Sequence, residues 1–276
     1  MASSARCDDA SPDHDHIIVT LLIVDHLLKR FGGVHAVDDV SFSLAAGELL
    51  ALIGPNGAGK STCFNMLNGQ LKPDGGEIRF EGRNIVGLRP REIWRLGVGR
   101  TFQVAATFGS MSVVENVQMA LISRDGRVFR MWGAAAAHAR DEAMEILARV
   151  GMQDQAQRPC GVLAYGDVKR VELAIALANQ PKLLLMDEPT AGMAPRERNA
   201  LMALTHELVK ERNIGVLFTE HSMDVVFGYA DRVIVLARGK LIAEGSGEDI
   251  RNHPRVRDVY FGGGTTVEPA RAASVS

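Results

Sequence analysis

The chain has 276 residues, 46% of them hydrophobic and 23% charged, enough for one large domain or two small ones around a substantial core, so disorder of the whole is excluded. Thirty-one lysines and arginines face 33 aspartates and glutamates, for a net charge of −2. No global positive field is available for a polyanion, and nucleic acid is not expected as a partner. The longest apolar runs, around Thr20 and before Gly54, fall well short of the roughly 18 residues that span a bilayer.

The opening MASSARCDDASPDHDH lacks a basic start followed by an apolar stretch, so nothing in it directs secretion and a cytosolic chain is expected. Its His14 and His16 with Asp13 and Asp15 read as a solvated tail in preference to a metal cluster. Cys7, Cys63 and Cys160 have no paired spacing, which suits a reducing compartment. Short apolar runs then predict strands at Ile17 to Leu28, Val40 to Leu44 and Leu49 to Ile53, with AAGE as the last turn. EIRF, between PDGG and EGRN, adds a fourth. From about Ser112 to Val150 the apolar spacing turns helical. Two continuous apolar strings, LLLMD at 183 to 187 and IGVLFTE at 214 to 220, flank a helical pattern from Pro195 to Arg212. That is a strand, helix, strand unit whose strands are covered on both faces. VIVLA and LIAEG around RGK predict a closing hairpin, and the residues from Gly262 onward read as a flexible tail.

The segment LLALIGPNGAGKST carries the strongest signal. A buried strand enters Gly54, Pro55, Asn56, Gly57, Ala58 and Gly59, followed by Lys60, Ser61 and Thr62 at a helix start, which matches the P-loop pattern in full. Glycines let successive N–H groups turn inward, and the helix adds the positive end of its dipole, so phosphate oxygens are held mainly by backbone. Lys60 is then expected to reach the outer phosphates and Ser61 to offer its hydroxyl to a bridging Mg2+. Such a loop needs a carboxylate-bearing strand beside it, and LLLMDEP supplies one. Asp187 is expected to hold the water shell of the metal, and Glu188 to act as general base on the attacking water; taken without the P-loop, the pair reads as a solvated turn.

From Ile17 to Gly262 the chain resembles the nucleotide-binding subunits of ABC (ATP-binding cassette) transporters. The order of motifs carries the resemblance: GPNGAGKST, then RTFQ, LAYGD, LLLMDEP and FTEH. It implies an α/β P-loop NTPase with a RecA-like core, an antiparallel β subdomain and a helical subdomain at about 104–180, within a domain of 17–262 between flexible tails of 1–16 and 263–276. It also implies ATP and Mg2+ as ligands, Gln103 touching the metal and the water, and His221 as the switch histidine, where otherwise a satisfied core histidine is the usual reading. Phe31 falls where the family stacks an aromatic ring on adenine; ordinary core is its other reading. Leu163, Ala164, Tyr165, Gly166 and Asp167 match the signature that covers ATP bound to a second, facing cassette. There a helix N-terminus at Gly166 presents bare N–H groups to the γ-phosphate.

The match departs from the usual pattern at Ala164 and Tyr165, which stand for Ser and Gly, and at Ala194, which stands for Asp. Loss of one hydroxyl contact to a charged group is worth roughly 1.5 to 3 kcal/mol, so slower hydrolysis is expected, and coupling between the two sites is put in doubt. LAYGDVKRVELA, EPTAGMAP, EHSMDVV and the closing GSGEDIRNHPRVRDVYFG look like one of the two ATPases of branched-chain amino acid importers. That implies a second ATP-binding subunit, heterodimeric in most relatives though a homodimer is possible, membrane permease subunits and an extracytoplasmic solute-binding protein. The expected location is peripheral, on the cytoplasmic face of the inner membrane. Val104, Phe108 and Met111 either line the family's permease groove or pack the helical subdomain, and Cys63 is either thiol-reactive or a small core residue. The alternative function is a soluble ABC-type ATPase that remodels a macromolecule. Such relatives tend to carry two cassettes or long coiled coils, and neither is visible here. A P-loop kinase predicts no signature segment, and LAYGD with His221 argues against it.

Overall fold

The computed structural model describes residues 20–101, 107–125 and 134–261, with 134–138 and 261 described by backbone alone. Two sheets organise them. The first is antiparallel and takes β1 (Thr20–Phe31), β2 (Val34–Ala45), β4 (Gly75–Phe80) and β5 (Arg83–Asn84) in the order β2-β1-β4-β5. The second holds β3 (Leu49–Ile53), β6 (Val98–Thr101), β7 (Leu183–Asp187), β8 (Gly215–Thr219), β9 (Arg232–Ala237) and β10 (Lys240–Gly245) in the order β10-β9-β3-β8-β7-β6. Its members run parallel except β10, which closes a hairpin on β9. β3 and β8 are buried along their whole length, as expected of parallel strands covered by helices on both faces.

Alternate side chains of these strands enter two different cores. Leu50 and Leu52 of β3, Leu185 of β7 and Leu217 of β8 join Cys63, Phe64 and Leu67 of α1 (Lys60–Leu67). Leu49, Ala51 and Ile53, Leu184 and Met186, and Val216 and Phe218 join the other core. That second core holds residues of α3 (Val113–Arg124), α4 (Ala134–Arg149), α5 (Tyr165–Ala178) and α6 (Pro195–Arg212). The period of two along each strand therefore puts α1 and α5 on opposite faces of the six-stranded sheet. Each fully buried Leu or Phe in these layers contributes about 1.5–3 kcal/mol relative to exposure.

The first hairpin is longer than its apolar runs predict. β1 continues to Phe31 and β2 begins at Val34, with Gly32 at φ 57 in the turn between them. The extension escapes the pattern because the pairing shifts register between Val24 and Leu27, between Leu27 and Lys29, and again between Lys29 and Arg30. An antiparallel sheet also tolerates polar residues on its wet face. β6 and the preceding α2 (Pro90–Arg95) are likewise not predicted by the sequence, since a four-residue strand containing Gly99 offers no readable period. A further correction concerns strand order. β7, which carries the carboxylates, does not lie beside the P-loop strand: β8 is inserted between β3 and β7. Two short helices, α8 (Gly247–Asn252) and α9 (Pro254–Phe261), follow β10, and α7 (Met223–Tyr229) follows β8. Among the described residues no helix is long and apolar enough to cross a membrane.

Candidate active site

The parallel sheet delivers the candidate residues by one rule. Polypeptide leaving the C-terminal ends of β3, β8 and β7, neighbours in that order, forms the P-loop, the Glu220–His221 segment and the Asp187–Glu188 segment. Ligands of open α/β sheets bind at such strand ends. Gln103 itself, with Val104, lies outside the described residues.

In the loop, two glycines are dictated by close approach. Gly54 has φ 154, and a Cβ there would lie 2.2 Å from the Leu236 carbonyl oxygen. Gly59 has φ 108, caps α1, and would place a Cβ 2.3 Å from the Ala36 carbonyl oxygen. No side chain fits either position. Between them Asn56 and Gly57 are exposed, Pro55 is half-buried and Ala58 is buried. The Ala58 carbonyl accepts from Gly239 N at 3.0 Å, fixing the loop to the β9–β10 turn. Lys60 folds back over its own loop: Nζ donates to the carbonyls of Gly54 at 2.6 Å and Pro55 at 3.1 Å. Burial pulls its pKa below the usual lysine value, against the opposing pull of the Glu188 and Asp187 charges. Ser61, next along the helix, is exposed, and Thr62 is half-buried.

Across from the loop the two carboxylates differ in setting. Asp187 Oδ1 accepts from Thr219 Oγ1 at 2.8 Å and Oδ2 from the Arg100 guanidinium at 3.3 Å. Glu188 stands at φ 49, a left-handed conformation uncommon outside glycine. It is held there by its N–H, which donates to Thr219 O at 3.1 Å and Thr219 Oγ1 at 3.0 Å. The side chain then reaches His221, with Nε2 and Oε1 2.9 Å apart. A carboxylate turned out of its strand and backed by an imidazole is suited to taking a proton from water. Glu220 points inward. Its Oε1 accepts from Thr190 N at 2.8 Å and Thr190 Oγ1 at 2.6 Å, and Oε2 accepts from His221 N at 3.2 Å. Sequence reasoning does not single out Thr219, Glu220, Thr190 or Arg100, although FTEH and RTFQ contain three of them. No spacing rule reports a hydrogen bond that joins residues about 30 positions apart.

The signature residues open α5. Ala164 is its N-cap and offers no side-chain bond to the orphan amides, which is the local consequence of the missing Ser hydroxyl. Leu163 is half-buried, Tyr165 is exposed and Gly166 is buried. A Cβ on Gly166 would sit 3.3 Å from the Glu197 carboxylate. Asp167 accepts from Gln155 Nε2 at 2.9 Å. Since α5 and α1 lie on opposite faces of the sheet, the chain does not bring its own signature onto its own P-loop helix. Phe31 is 51% exposed at the hairpin end, so it is not a core residue, and Lys29 Nζ stands 5.6 Å from its ring.

A groove of about 440 Å³ opens between the turn after α1, α2, β6 and the helices α3 and α5, walled by Asn68, Trp94, Arg100, Ala120, Ser123 and Ile175 among others. Neither Phe108 nor Met111 lines it: Phe108 is 58% exposed and outside the helical core as well. Cys63 is fully buried and its thiol is pushed up to about 12 by burial, which favours its reading as a small core residue.

Comparison with known proteins places the chain in a family. The family model described as ABC transporter matches residues 37–191, and the one described as branched-chain amino acid ATP-binding cassette transporter matches residues 240–265. The chain belongs to the ABC transporter ATP-binding family. The cassette is 41% identical to the high-affinity branched-chain amino acid transport ATP-binding protein LivG of Salmonella typhimurium, over 88% of this chain and 98% of that relative. Its fold matches a nucleotide-free ATP-binding cassette of an ABC transporter with a TM-score of 0.79 at 34% identity, covering 88% of this chain and 99% of the other. A dimeric, post-hydrolysis cassette bound to ADP and phosphate is matched with a TM-score of 0.70 at 26% identity, over 82% and 98% of the two chains. The cassette is thus an ATP-hydrolysing ABC transporter subunit.

Proposed function

We propose that this cassette energises uptake of branched-chain amino acids, or a related small solute, through separate membrane permease subunits. In this reading it works from the cytoplasmic face of the membrane, paired with a second ATP-binding subunit, and a solute-binding protein loads the permeases from outside. The similarity to LivG, whose name states that transport, supports the solute class. The groove beside Trp94 and Arg100 is the seat assigned to a permease segment, being concave, partly apolar and bounded by α2, β6, α3 and α5.

In the same reading the amides of Gly54 to Gly59 and the N-terminus of α1 hold the phosphates, with Lys60 leaving its loop carbonyls for the outer phosphates. Phe31 offers its exposed ring to adenine. The donor chemistry fits Mg2+, which takes hard oxygens and is usually held by one or two carboxylates plus phosphates. Ser61 Oγ and Asp187 would hold it, with Gln103, and when bound it neutralises charge on the phosphates. Thr219 and Arg100 orient the Asp187 carboxylate from its two sides. Glu188 takes the proton of the attacking water, and His221 holds Glu188 and faces the γ-phosphate.

The observation that carries the proposal is the Glu188–His221 pair at 2.9 Å, at the ends of β7 and β8 on the same edge of the sheet as a complete P-loop. The opposite-face placement of α1 and α5 supports a head-to-tail dimer, in which Leu163, Ala164, Tyr165, Gly166 and Asp167 of one cassette cover the nucleotide of the other. Co-purification with candidate permeases and reconstitution in vesicles tests it. ATP-dependent uptake of labelled leucine, isoleucine or valine, lost in Glu188→Gln, is the expected result. Absence of any permease complex, with ATPase activity responding instead to nucleic acid or ribosomes, would overturn it.

A further inference from the structure

We propose that Arg100 is a positioning residue whose guanidinium sets how much of the Asp187 carboxylate is free for a divalent cation. The inference deepens the reading above and rests on Asp187 facing the metal. Arg100 is largely buried, with its side chain 13% exposed, and its nitrogens are shared between two elements. One terminal nitrogen donates to Asn65 Oδ1 at 2.9 Å and Gln70 Oε1 at 3.2 Å, at and beyond the end of α1. The other donates to Asp187 Oδ2 at 3.3 Å. The bond to Asn65 is short and the bond to the carboxylate is long, although charge alone favours the reverse. The contacts to Asn65 and Gln70 thus anchor one end of the guanidinium while its other end reaches Asp187.

Strand geometry explains why this residue can do so. In the β6–β7 pairing Arg100 stands opposite Leu185, and Leu185 belongs with Val98 to the core on the α1 face of the sheet. The Arg100 side chain, on that same face, stands 6.0 Å from the Phe64 ring of α1 and forms part of the groove wall. One side chain thus borders the groove, α1 and the Asp187 carboxylate together. Displacing Asn65 or Gln70 from it, or pressing on it from the groove, changes its distance to Oδ2. Because a positive charge within a few ångströms opposes a cation on the same carboxylate, the grip of Arg100 on Asp187 and the affinity for metal move in opposite directions.

The test is equilibrium Mn2+ binding, followed by electron paramagnetic resonance with a non-hydrolysable ATP analogue on the intact chain. Arg100→Gln is expected to bind Mn2+ about three-fold or more tightly, yet to turn over MgATP more slowly at saturating metal, with Arg100→Lys partly restoring both. Asn65→Ala, which frees Arg100 to close on Asp187, is expected to weaken Mn2+ binding about two-fold or more. This opposite sign is not produced by general loosening of the fold, and it keeps the proposal testable if the arginine variants fold poorly. Unchanged or weaker Mn2+ binding in Arg100→Gln, or unchanged or tighter binding in Asn65→Ala, would overturn the proposal. Asp187→Asn separates the two levels. If it leaves Mn2+ affinity intact, the metal-facing reading of Asp187 itself falls; if it lowers the affinity while Arg100→Gln does nothing, only the role of Arg100 is lost.

Discussion

Replacing Glu220 by alanine isolates a contact that joins two loops of the candidate active site. Glu220 is 4% exposed and Thr190 3% exposed, and the glutamate accepts both the N–H and the hydroxyl of Thr190 at 2.8 and 2.6 Å. Removal of the carboxylate strands two buried donors on Thr190. Each unsatisfied buried group costs about 1–3 kcal/mol, so the sum spans about 2–6 kcal/mol, and partial relaxation puts the expected loss near 3 kcal/mol. The His221 N–H adds less, because its bond to Glu220 is longer, at 3.2 Å. For a domain of this size each kcal/mol lowers Tm by about 2–4 °C, so a fall of about 6–12 °C is expected in scanning calorimetry at pH 7. Glu220→Gln keeps an acceptor for Thr190 and is expected to lose roughly a third as much. A Glu220→Ala protein melting within about 2 °C of the wild type would show that the Thr190 donors do not depend on this carboxylate, and the reasoning would fail.

Three further outcomes are expected. Lys60→Ala should lower ATP affinity by at least about 100-fold in fluorescent nucleotide titration, equivalent to about 2.7 kcal/mol of lost charged contacts, while its circular dichroism stays that of the wild type. Thr219→Val removes the hydroxyl that donates to Asp187 and accepts from the Glu188 N–H. Its turnover should fall about ten-fold or more, for a loss of about 1.5–3 kcal/mol, and ATP binding should change less; an unchanged kcat would contradict that role. Cys63, buried with its thiol pushed up to about 12, should resist iodoacetamide in the native protein and react in urea, as read by mass spectrometry of the peptide containing it.

The strands β3, β7 and β8 are legible in the sequence because a parallel strand covered on both faces is a continuous apolar run, and the P-loop because its glycines and lysine have fixed spacing. The hairpin turn at Gly32, the short β6 and the order that inserts β8 between β3 and β7 are not. Strand order is set by contacts between distant segments, which leave no local period. The same holds for the site. Asp187, Glu188 and His221 stand in recognisable strings, but what holds them does not: Thr219 clamps Asp187 and the Glu188 backbone from a neighbouring strand, and Arg100 reaches Asp187 across 87 positions of sequence. Phe108 and Met111 are not among the residues that wall this groove: the apolar count of their segment says nothing of direction, and α2, β6, α3 and α5 supply the walls.

The central claim is that Glu188, turned out of its strand and paired with His221, takes the proton of the water that attacks ATP held on the P-loop. Single-turnover hydrolysis by Glu188→Gln, measured alongside ATP affinity on the same preparation, tests it most directly. The account predicts affinity close to that of the wild type and hydrolysis slowed by about 100-fold or more. Hydrolysis at the wild-type rate, or loss of ATP binding in this variant, would contradict it.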